Sequence, residues 1–103
     1  MTLQEAVEEV ISQNRKAKYT PTRFIEMTKN GEAENLKEVI SGLVLNPEVK
    51  EKIFITMEKY KGKPIFIEEF ISMYYFDLSK EVVKEAMQRT KEIQQSRLFY
   101  NLN

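Results

Sequence analysis

Glu68 and Glu69 stand side by side in the chain, and Glu5, Glu8 and Glu9 cluster near its start. Paired carboxylates hydrolyse glycosidic bonds and hold hard cations, so these residues are the first place to look for chemistry. Neither set is arranged for it. Adjacent residues on a helix point about 100° apart, so Glu68 and Glu69 do not converge on one atom without a partner from elsewhere in the chain. Asp77 is the lone Asp, which leaves few further ligands for a hard cation. The 103 residues contain no His and no Cys, which removes the usual general base, thiol catalysis, disulfides and thiolate or imidazole metal sites. Ser and Lys occur outside any G-x-S-x-G, S-x-x-K or phosphate-cradling glycine loop. The expectation is a protein that is not an enzyme, with no catalytic residues, no cofactor and no metal.

A second pattern is Arg15, Lys16, Lys18 and Arg23, with Tyr19 among them and no acid between residues 10 and 25. Four cations beside an aromatic ring suit a phosphate backbone with a base stacked on the ring. The same cations also suit a helix end, where they complement the carbonyl pole. Residues 20–44 have the approximate proportions of a helix-turn-helix. Its second helix, however, would present Glu32, Glu34, Asn35 and Glu38 to the groove, where phosphates repel carboxylates. Lys plus Arg equals Asp plus Glu at 16 each, so the overall charge favours no polyanion.

The third pattern is apolar. Five Met, six Phe and five Tyr exceed what one small core covers. Tyr74 and Tyr75, with Leu98, Phe99, Tyr100 and Leu102 at the end of the chain, are amphipathic and apolar groups of the kind that anchor protein interfaces. These six are the candidate protein-binding residues.

Helices with strong start and stop signals must position these groups. Thr2 and Glu5 form a capping box, followed by a stripe of Leu3, Ala6, Val7, Val10 and Ile11 that fades at Asn14 to Lys18. Thr20 before Pro21 predicts the cap of a short second helix, stopped at Asn30 and Gly31. Leu36, Ile40 and Val44 lie on one side of a third helix, and Asn46 with Pro47 opens a fourth that runs to about Tyr60. Pro64 to Leu78, PIFIEEFISMYYFDL, is the densest apolar stretch and reads as the helix around which the rest packs. Glu68, Glu69 and Ser72 would make its narrow polar strip toward water. Asp77 and Ser79 are both candidate caps for a long last helix, with Met87 inward and Arg89 outward, whose stripe runs out near Arg97.

These elements predict an all-α protein, a compact orthogonal bundle of five to six short helices in a single domain over 1–103, with 98–103 as an apolar tail. A two-stranded hairpin of residues 53–57 and 65–67 is the alternative for that part. In size and composition the chain is similar to stand-alone accessory and regulatory proteins of bacteria and their phages. The function expected is that of a small cytoplasmic regulatory or accessory protein that binds another protein or a second copy of itself as a homodimer. Nucleic-acid binding through Arg15, Lys16, Lys18, Tyr19 and Arg23 is the alternative; no membrane is expected as a partner, because no apolar run reaches ~18 residues.

Overall fold

The Thr2–Glu5 capping box forms as its residue types require. The Glu5 amide donates to Thr2 Oγ1 at 3.1 Å and the Thr2 amide to Glu5 Oε1 at 2.9 Å. That second bond holds the Glu5 carboxyl below its ordinary value. From this cap α1 (Leu3–Lys16) runs on to α2 (Thr22–Thr28), α3 (Ala33–Leu45), α4 (Pro47–Lys59), α5 (Ile67–Tyr74) and α6 (Lys80–Asn101). The computed structural model describes residues 1–29 and 33–101, with the side chains of all but Ala33 and Glu34. Asn30 and Gly31, the expected stop of α2, and Leu102 of the apolar tail lie outside the described residues.

Among the described residues there is no strand. Residues 53–57 lie within α4, and Phe66 has extended backbone only as the entry to α5, so the hairpin does not form. α4 opens as read, with Asn46 Oδ1 accepting from the Glu48 amide at 2.9 Å and Pro47 at the first helical position. α2 starts one residue later than expected. Pro21, whose side chain has no acceptor to offer, occupies the cap position, and the Thr22 amide turns back to the Thr20 carbonyl at 2.9 Å. Ser79 rather than Asp77 caps α6, its Oγ accepting from the Val82 amide at 3.2 Å.

Among the described residues the buried apolar side chains form two clusters. The larger joins Leu3, Val7 and Val10 of α1 to Leu36, Ile40 and Val44 of α3, Ile67 and Ile71 of α5, and Val82 and Ala86 of α6. The smaller holds Ile53 and Met57 of α4 against Ile93 of α6, with Phe54, Phe66 and Tyr100 at its edge. α5 packs on α6 and α1, while α6 reaches α3, α4 and α5, so the organising role expected of residues 64–78 is shared with α6.

Asn14, read as the start of a polar connection, is buried instead. Its side chain donates to the Ile65 carbonyl at 2.9 Å and accepts from the Ile65 amide at 2.8 Å, which pins the segment before α5 to α1. Gly62 closes the turn after α4 with φ of +77°, and its amide donates to the Met57 carbonyl at 2.8 Å. A Cβ at Gly62 would lie 3.2 Å from the Tyr100 ring, so glycine is also what lets the end of α6 approach.

Candidate functional site

α5 ends at Tyr74, well before the Leu78 limit of the apolar stretch. The reason lies in the next three residues. Tyr75, Phe76 and Asp77 all have positive φ, at 59°, 53° and 57°. The Phe76 amide donates to the Tyr74 carbonyl at 2.7 Å and the Leu78 amide to the Tyr75 carbonyl at 3.1 Å, so a γ-turn is followed at once by a β-turn with two left-handed central residues. Each such non-glycine residue carries strain of about 1–3 kcal/mol and persists only where its surroundings impose it. Here Phe76 and Leu78 are anchored against the larger core. The corner therefore turns Met73, Tyr74 and Tyr75 outward, and they are 65%, 48% and 53% exposed.

Beside this corner lies a groove floored by Tyr75, Leu78, Val83 and Met87 and flanked by Lys80, Lys84, Lys91 and Gln88. The α6 members recur at i, i+3, i+4, i+7, i+8 and i+11, one face of the helix. Met87, expected inward, sits on this face and is 48% exposed. Among the described residues Lys80, Lys84 and Lys91 make no ion pair, whereas two acids of α6 are engaged elsewhere: Glu85 with Arg89 of the same helix at 2.8 Å and Glu92 with Lys50 of α4 at 3.1 Å. The result is an apolar floor with cationic walls.

The candidate residues at the end of the chain are separated from this groove. α6 continues to Asn101, so Leu98, Phe99 and Tyr100 are its last turns and not a free tail. From Met87 to Leu98 the helix advances roughly 16 Å. Tyr100 packs into the smaller cluster against the Gly62 turn, while Leu98 and Phe99 are 61% and 63% exposed. The groove members Leu78, Val83 and Met87 escaped the sequence reading, since Val83 and Met87 fit the inward stripe of a helix and only the corner shows which side α5 leaves uncovered.

The basic segment is divided. Arg15 and Lys16 close the last turn of α1 and line a shallow surface with Glu8 and Ile11. Lys18 takes a left-handed φ of 64° in the following turn. Tyr19 packs its ring on Tyr60, 4.8 Å between centroids, and burial pushes its hydroxyl above the usual range. Arg23 lies on α2, at a different depression from that of Arg15 and Lys16.

Glu68 and Glu69 turn away from each other, and each meets an arginine of α6. Glu68 is buried with Arg89, Oε2 to Nη1 at 3.1 Å. Arg89 also donates to the carbonyls of Leu43 at 3.2 Å and Asn46 at 2.9 Å and to Glu85 at 2.8 Å. Burial pushes the Glu68 carboxyl above its ordinary value, with Arg89 opposing that shift. Glu69 takes Arg97 in a two-pronged pair at 2.6 and 3.1 Å. It also accepts from the Phe66 amide at 2.9 Å. The expected polar strip thus faces α6 and not water, with Ser72 donating to Thr90 Oγ1 at 2.8 Å. Among the described residues no group of three acidic side chains is placed to hold a metal ion, and no helix is long and apolar enough to cross a membrane.

Comparison of the chain with family models, curated proteins and solved structures gives no match.

Proposed function

We propose that this chain is a non-enzymatic accessory or regulatory protein, an orthogonal helical bundle that works by binding another protein. The docking face is the groove of Tyr75, Leu78, Val83 and Met87, extended by Met73 and Tyr74. The occupant is an amphipathic segment with an acidic flank. The observation that carries this reading is the left-handed run at Tyr75–Asp77, which holds Tyr74 and Tyr75 out of the core at the edge of a groove walled by lysines that have no carboxylate partner among the described residues. Exposed Tyr and Met are suited to an interface because each offers large contact area and a polarisable or polar group. The lysines supply orientation and association rate for an acidic partner.

A photo-crosslinker placed at Met87, with a control at the exposed Ile55 of α4, tests this in the native host. The expected result is one protein captured from Met87 and not from Ile55, through an acidic amphipathic segment, and lost when Lys84 and Lys91 are both changed to Glu. Equal capture at the two positions overturns the reading. Sedimentation separates self-association, which the Met87→Glu variant would abolish if the occupant were a second copy. The alternative through Arg15, Lys16, Lys18, Tyr19 and Arg23 predicts salt-sensitive binding of mixed DNA or RNA, and has less support because the Tyr19 ring is already engaged with Tyr60.

A further inference from the structure

Between α2 and α4 lies a cleft of about 190 Å³ that shares no residue with the α6 groove. Its walls include Val10, Phe24, Leu43, Ile53, Ile65 and Ile67. A dry apolar cavity of ~150 Å³ takes up benzene, so this cleft has room for an aromatic ring or a short acyl chain. α2 presents Phe24 and Met27 to it, neither of them buried, so apolar surface is left for a ligand to cover.

The polar groups deep in the cleft are already engaged. Asn14 exchanges two hydrogen bonds with the Ile65 backbone, and Glu68 is paired with Arg89. The interior thus offers contact to an apolar body and little to a polar one. The charges stand at the mouth: Arg23 on α2 and Lys52 on α4, both exposed and, among the described residues, without an ion pair. Glu48 is the third charge there, in the first turn of α4, where the positive helix end compensates it. A ligand that fills the interior must leave its head group at this mouth, and the sum of Arg23, Lys52 and Glu48 there is positive.

We infer that the cleft is a binding site for a small organic carboxylate, an aromatic or short acyl acid whose apolar body lies among Val10, Phe24, Ile53 and Ile67 and whose carboxylate meets Arg23 and Lys52. The site takes a fragment-sized ligand and discriminates by head-group charge.

The test is a methyl-NMR titration of the full chain with sodium octanoate and, separately, with 1-octanol, which has the same chain length and no charge. Octanoate is expected to shift the methyl signals of Val10, Ile53 and Ile67 saturably and to bind about fivefold to tenfold more tightly than 1-octanol, the gain two exposed cations provide. The Arg23→Met, Lys52→Met double variant changes only exposed side chains, so its fold is expected to persist, checked by an unchanged spectrum away from the mouth. In it the octanoate affinity falls to that of 1-octanol. Equal affinities in the native chain, an unaltered preference in the double variant, or shifts that miss those three residues would each overturn the assignment.

Discussion

Glu68 and Glu69 are neighbours in sequence and both end on an arginine of α6, yet one pair is sealed inside the protein and the other lies near its surface. The Glu68 and Arg89 side chains are 3% and 1% exposed, whereas those of Glu69 and Arg97 are 15% and 25% exposed. Arg89 ties the α3–α4 junction to α5 and α6 through the Leu43 and Asn46 carbonyls. Arg97 holds the segment between α4 and α5 through the Gly62 and Pro64 carbonyls, at 3.2 and 2.8 Å. Each arginine joins a carboxylate of α5 to two backbone carbonyls, Arg89 adding Glu85 through Nε while Arg97 grips Glu69 with two nitrogens, and the two differ most in their access to solvent. A buried ion pair stabilises little in total, because desolvation offsets attraction, but removing one partner is severe since it strands the other charge. A pair in contact with water has less at stake in either direction.

The largest effect should follow from Arg89→Met, which strands Glu68 and removes donors from two carbonyls. A loss of about 3–5 kcal/mol in urea unfolding at neutral pH is expected, and a loss under about 1 kcal/mol would show that water reaches Glu68. Arg97→Met should lose about 1–2 kcal/mol. Raising the salt concentration should shrink that loss and leave the Arg89 effect in place; similar salt dependence of both would erase the distinction.

Acid should separate the two pairs further. Burial raises the Glu68 pKa above 4.5, so the folded protein holds this proton more tightly than the unfolded chain does. Stability contributed by the protonated carboxyl is therefore present below pH 4.5 and is lost as pH rises through the higher folded value. Glu68→Gln should remove that component of the pH profile, and the Arg89→Met loss should diminish as pH falls and Glu68 protonates. A pH profile unchanged by Glu68→Gln would contradict this. The smallest effect is expected at Lys37 and Asp77, whose ion pair at 3.5 Å has side chains 44% and 97% exposed. Asp77→Asn should shift stability by less than about 0.5 kcal/mol.

The comparison also marks where sequence reading succeeds. The capping box at Thr2 and Glu5, the Asn46–Pro47 start of α4 and the apolar stripes of α1 and α3 were legible because each depends on residues within one or two turns of each other. Glu68, Glu69 and Ser72 were correctly seen as one strip of a helix but given to water, and Arg89 was placed outward for the same reason. A charged residue on a stripe is assigned to solvent unless its partner is known, and these partners lie 21 and 28 residues away in sequence.

The corner at Tyr75–Asp77 failed to show for a related cause. Tyr74 to Leu78 continue a helical apolar pattern, and nothing in their types announces three successive left-handed residues. The chain by itself determined an all-helical protein and the starts of most of its helices, since caps, prolines and 3.6-residue periodicity act locally. Only the tertiary structure decided which charges are buried, where α5 stops and which face of α6 remains uncovered. Those outcomes depend on how far each side chain is removed from water by elements distant in sequence, and desolvation is a property of the packed molecule that no local pattern contains.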